Sequence, residues 1–245
     1  MKKFITNFDT TAELATVSAT PNFGRPHVSL TEDDRKVHYF GDPYNRLEFV
    51  DLGLSSGLKW ATCNVGAKRP EDCGLLFAWG ETTGYNIDDN HDFTQDNYNG
   101  PSDELILPNI NNDYIIPAGC DAATVNMRDK WRTPRIPTKA DFEELIANCN
   151  VDYTYNYGEI IDEDTYDTIF EGYEGNIFTS KNNGNSIFIP VDTEHSIYEY
   201  WTSSGFNDGY DDIINITIYE YNNSLSEIDQ NIEKHYGHFI RPVCE

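Results

Sequence analysis

Apolar residues recur at helical spacing in one clear place. Phe142, Leu145, Ile146 and Cys149 stand at i, i+3, i+4 and i+7, on one face of a helix. Thr138 precedes the run, and Asp141 follows it three residues on. The pair forms a short-armed capping box, so the spacing predicts a helix that begins there. Asp141, Glu143 and Glu144 fill its first turn, where the helix dipole favours anions. Elsewhere the pattern is that of short strands. Residues 186–190 (SIFIP) are an apolar run closed by proline, a buried strand. Residues 214–221 (INITIYEY) alternate strictly, giving one apolar and one polar face. Residues 239–243 (FIRPV) read as a closing strand near a sheet edge, because of their proline. Residues 81–130 and 150–176 read as long loops, which are usually functional or flexible. One or two helices packed on antiparallel strands is the α+β class.

Residues 1–47 read as a separate element. Thr10 and Glu13 fit a capping box, and a short helix through Leu14 and Val17 should stop before Pro21. Residues 27–30 and 37–40 alternate apolar and polar positions around a polar turn, a β-hairpin. Such a piece is too small to bury much core alone. It is expected to attach the chain to a partner assembly, or else to pack on the main body, which runs from 48 to 245.

Charge narrows the partners. Lys and Arg number 17 against 42 Asp and Glu, a formal net charge of -25. Such a chain repels phosphate backbones, which argues against nucleic acid. Its carboxylates keep it soluble and would attract cations or a basic surface. No apolar run approaches the ~20 residues of a membrane span, so no membrane insertion is expected. Lys2 and Lys3 imitate the start of a signal peptide, but no apolar core follows them. Cys63, Cys73, Cys120, Cys149 and Cys244 are an odd set without metal-ligand spacing, expected as free thiols.

Five landmarks carry a resemblance. They are 49–67 (FVDLGLSSGLKWATCNVGA), 77–82 (FAWGET), 131–134 (WRTP), 200–204 (YWTSS) and 236–243 (YGHFIRPV). In this order they resemble the Fibrobacter major paralogous domain, a branch of the C-type-lectin-like fold. That fold is shared with formylglycine-generating enzymes and phage variable receptor-binding proteins. The resemblance implies a display scaffold, with Trp60, Trp79, Trp131, Trp201, Arg132 and Arg241 as its frame. It also implies a head- or tail-fibre protein on the virion surface of a crAss-like gut phage. Such a protein would be made in the host cytoplasm and released by lysis. Other virion proteins would bind residues 1–47, host-surface glycan or protein would bind the display domain, and a homo-oligomer is expected. The alternatives are a bacterial adhesin module and a purely structural decoration protein. An enzyme related to formylglycine generation is disfavoured, because Cys244 has no second cysteine near it in sequence.

The candidate ligand-binding residues fall in 206–233. Asn207, Asp208, Tyr210 and Asp211 precede the alternating strand, and Tyr219, Tyr221, Asn222 and Asn223 end or follow it. Antibody loops favour Tyr, Asn, Ser and Gly, because Tyr is rigid and amphipathic while Asn and Ser adapt their hydrogen bonds. In the resembled phage proteins the diversified segment lies just before the final strand, as this one does. No catalytic residue and no cofactor are expected. Calcium stays open through two acidic clusters, 88–92 and 208–212, although neither has the spacing of an EF-hand loop.

Overall fold

The computed structural model describes residues 48–89, 91–101, 114–127, 133–161, 168–170, 172–205, 213–217 and 228–245. The first elements in chain order are β1 (Phe49–Asp51), β2 (Lys59–Ala61), β3 (Tyr114–Ile115) and the short helix α1 (Ala122–Asn126). Then come the helix α2 (Lys139–Asn148), β4 (Cys149–Tyr157), β5 (Ile160–Ile161), β6 (Thr168–Phe170) and β7 (Tyr173–Ser180). The last are β8 (Ser186–Pro190), β9 (Glu199–Gly205), β10 (Ile213–Thr217), β11 (Ile228–Ile232) and β12 (Val243–Cys244). The strands form small antiparallel sheets ordered β1-β2-β12, β11-β10-β9-β3, β4-β7-β8 and β5-β6. This is an α+β domain. The expected attachment element at 1–47 lies outside the described residues.

The helix begins where its sequence predicts. The Thr138 hydroxyl accepts from the Asp141 amide at 3.1 Å, and the Asp141 carboxylate accepts from the Thr138 amide at 2.7 Å. This closes the capping box. Phe142 and Leu145 are buried, and Phe142 meets Trp60 edge-on at 4.9 Å. Cys149 corrects the helical pattern. Its backbone is extended, at φ -117° and ψ 149°, and it opens β4 while its side chain stays in the core.

The loop expected over 150–176 is corrected too. It contains β4, which pairs with β7 from Cys149↔Ser180 to Tyr157↔Tyr173. Val151, Tyr153 and Tyr155 alternate with Asp152, Thr154 and Asn156. That period of two, rich in aromatic and β-branched residues, suits a half-buried strand. Hydrogen bonding to β7 outweighs the local Asn and Asp punctuation. Strand β8 lies where the apolar run places it and is buried from Ile187 to Pro190.

The N-terminal and C-terminal ends of the domain share one sheet. β2 pairs with β1 through Val50↔Trp60 and with β12 through Trp60↔Val243. Arg241 enters the core just before β12 and is 0% exposed. Its guanidinium donates to the Ala61 carbonyl and to the Phe188 carbonyl, each at 3.0 Å. Beside it the Tyr200 hydroxyl donates to the Pro190 carbonyl at 2.5 Å and accepts from Asn64 Nδ2 at 2.9 Å. Burial lowers the Arg241 pKa, and Tyr200 and Cys63 oppose that shift. An arginine still holds its proton in such a place. None of the five cysteines is in a disulfide, and Cys63, Cys149 and Cys244 are buried.

Gly74 adopts a left-handed φ of +81°, and a Cβ there would meet the Val65 carbonyl oxygen. Gly74→Ala should therefore destabilise the fold by more than ~1 kcal/mol. Arg241→Met leaves two buried carbonyls without a charged donor and should cost about 3 kcal/mol. Arg241→Lys keeps the charge but not the two-pronged geometry, so it should also be destabilised. Urea unfolding of the three variants measures this. A midpoint unchanged from wild type for Arg241→Met would overturn the assigned role.

Candidate recognition surface

Strand β9 fixes the sheet that carries the candidate loops. Each residue from Tyr200 to Ser204 is buried. Trp201 Nε1 donates to the Phe77 carbonyl at 2.7 Å, and Trp79 Nε1 donates to the Thr202 carbonyl at 2.8 Å. The two tryptophans thus lock β9 and the segment 77–79 together reciprocally. The Ser203 amide donates to the Pro137 carbonyl at 2.7 Å, and Ser204 Oγ accepts from the Lys139 amide at 3.1 Å. The paired serines therefore hold the start of α2. Both are buried residues of β9.

The frame residues Trp60, Trp79, Trp201 and Arg241 are all buried. Trp131 and Arg132 lie outside the described residues. So do all the candidate ligand-binding residues: Asn207, Asp208, Tyr210, Asp211, Tyr219, Tyr221, Asn222 and Asn223. Their points of attachment are described. Gly205 lies opposite Ile213, and Ile213 lies opposite Ile232. At the other end of β10, Thr217 lies opposite Glu199 and Ile216 opposite Ile228. In an antiparallel meander, the connection from β9 to β10 and the one from β10 to β11 leave from opposite ends of the sheet. The segment 206–212 and the segment 218–227 are thus rooted about five residues apart, roughly 17 Å.

A second surface has no local sequence signal. It joins residues 85–95 to residues 233–238. Tyr85 and His91 stack with centroids 3.5 Å apart and planes 6° apart. Phe93 stands edge-on to both, at 5.8 Å from Tyr85 and 4.7 Å from His91. A Cβ on Gly237 would come within 2.5 Å of the Phe93 ring, so only glycine lets the two segments pack this closely. His235 Nδ1 lies 3.2 Å from Gln95 Oε1, and its Nε2 lies 3.3 Å from Glu233 Oε2. Tyr236 packs beside His235 at 4.6 Å and keeps 45% of its surface exposed.

His238 sits behind this surface. Its ring is 4.3 Å from Trp201 and 6.5 Å from Tyr236. Both ring nitrogens are buried and have no hydrogen-bond partner. Burial pushes its pKa down to about 3, so the imidazole is neutral at ordinary pH. Among the described residues, no group of three or more His, Cys, Asp or Glu gathers in a way that could hold a metal ion. No helix among them is long and apolar enough to cross a membrane.

No family model matches the chain, and no curated protein or solved structure matches it.

An unfolded histidine takes up a proton as pH falls through about 6.5, but folded His238 does not until about 3. Its contribution to stability is therefore complete above pH 6.5 and is lost as pH falls towards 3. The loss is on the order of a few kcal/mol. Asp121 and Glu71, whose pKa values burial raises, act in the opposite sense. Glu144 acts in the same sense as His238. Burial raises its pKa, but bonds from Ser55 and Ser56 lower it further. Comparing the variant with the wild type isolates the imidazole. Over pH 6.5 to 3, the unfolding free energy of His238→Phe should fall less steeply than that of the wild type. Parallel curves would count against this role.

Proposed function

We propose that this chain is a non-enzymatic display protein of C-type-lectin-like fold, carried on a virion surface as a head- or tail-fibre component. In this reading residues 1–47 attach it to other virion proteins. The candidate residues of 206–212 and of 218–227, segments that leave opposite ends of β10, would make two separate contacts with a glycan or protein of the host surface. The observation that carries the reading is the contrast around β9. Its own residues are buried and bonded into the frame, while segment 206–212, which follows it, and segment 218–227, between β10 and β11, are together rich in Tyr, Asn and Asp. A rigid frame lowers the entropic cost of presenting adaptable polar contacts. The pairing of β1 and β12 on β2 also supports the C-type-lectin-like assignment, since it closes the domain end to end. Many weak sites on one particle would gain avidity. Fold alone fixes no function, and the virion assignment draws on the resemblance of the five landmarks.

Immunogold microscopy with antibody against the full chain tests the virion assignment. Gold should label heads or tails of particles of the phage that encodes the chain. Unlabelled particles, with antigen present in the cell extract, would move the protein to a bacterial adhesin role. The triple variant Tyr210→Ala, Tyr219→Ala, Tyr221→Ala tests recognition. Host attachment should fall at least about tenfold with the melting temperature unchanged, as expected for interface anchors. Unchanged attachment would leave a purely structural decoration protein.

A further inference from the structure

The aromatic surface built by residues 85–95 and 233–238 is a second feature, separate in sequence from 206–227. Its rings are only partly covered: Tyr85, His91 and Phe93 are half-buried, and Tyr236 is exposed. The side chains around them are acidic. Asp88, Asp92, Asp96 and Glu233 are all exposed. No Lys or Arg occurs between Arg69 and Arg128 in the sequence, and the basic groups shown near these carboxylates are histidines, His195 near Asp88 and His235 beside Glu233. The neighbouring Lys234 is buried. His238, behind Tyr236, is neutral and adds no positive charge.

The geometry points to a docking surface for a partner protein that presents arginine or lysine side chains from an extended basic segment. Exposed aromatic faces attract cations through the ring quadrupole. Carboxylates at the rim steer and hold the same groups. A second copy of this chain fits poorly, since it would bring carboxylate against carboxylate. A neutral glycan would stack on the rings but gain nothing from the acidic rim.

The probe is a fluorescein-labelled peptide of alternating glycine and arginine. Fluorescence anisotropy follows its binding to the full chain at about 0.15 M salt, where charges beyond about 8 Å are screened. Tyr236→Ala should weaken binding about three- to fivefold, the worth of one exposed cation–π contact. Tyr236→Phe keeps the ring and should retain binding. The pair Asp92→Asn, Asp96→Asn should weaken it further and flatten its salt dependence. Tyr155, 56% exposed on β4, is the control. Tyr155→Ala should leave binding unchanged.

Equal losses for Tyr155→Ala and Tyr236→Ala would mean diffuse attraction to an acidic protein and would overturn the proposal. So would binding of neutral chitotetraose that depends on Tyr236 where the arginine peptide does not bind. The assay needs neither particle nor host, so its failure leaves the display reading untouched.

Discussion

The buried guanidinium of Arg241 is the constraint on which the domain depends. A charge withdrawn from water is costly unless hydrogen bonds replace its hydration. Here the replacements are the carbonyls of Ala61 and Phe188, with the Tyr200 hydroxyl alongside. These groups belong to β2, β8 and β9, three strands of three different sheets. One side chain therefore holds the sheets in register with each other. None of them can shift far without leaving a buried charge or a buried carbonyl unpaired. Asn64 extends the network by bridging the Tyr200 hydroxyl and the Cys73 carbonyl.

Strand β9 translates that constraint into a platform. The reciprocal bonds of Trp79 and Trp201 fix it to the segment at residues 77–79. Ser203 and Ser204 fix it to the start of α2. Further out, a turn of asparagines secures the β7–β8 hairpin. Asn183 and Asn185 donate to the Asp51 carbonyl, and Asn182 donates to that of Gly53. Glu144 on α2 accepts from both Ser55 and Ser56. The long connections are thus pinned by side chain–backbone bonds where the strands are short.

Local signals in the sequence proved legible. The capping box at Thr138 and the apolar run at 186–190 need no distant partner to declare themselves, and both are present. The buried tryptophans and Arg241 were legible through the landmarks that contain them. Strand β4 was not, because its turn-forming residues masked an alternation that only β7 makes decisive. Asp121 was missed as well. It caps α1 through the Thr124 amide and also accepts from the Ile136 amide, a role set by a residue fifteen positions away. The aromatic surface joins residues about 140 positions apart, so no window of sequence could reveal it.

β1 and β12 flank β2 on either side and run parallel to one another. Glu48 lies beside Thr62 at one end of β2, while Cys244 lies opposite Lys59 at the other, so the chain enters and leaves this sheet at opposite ends. A pull applied between those two points would load the bonds of β2 to both neighbours at once, in shear rather than one after another. The Arg241 bonds, which tie β2 to β8, would share that load.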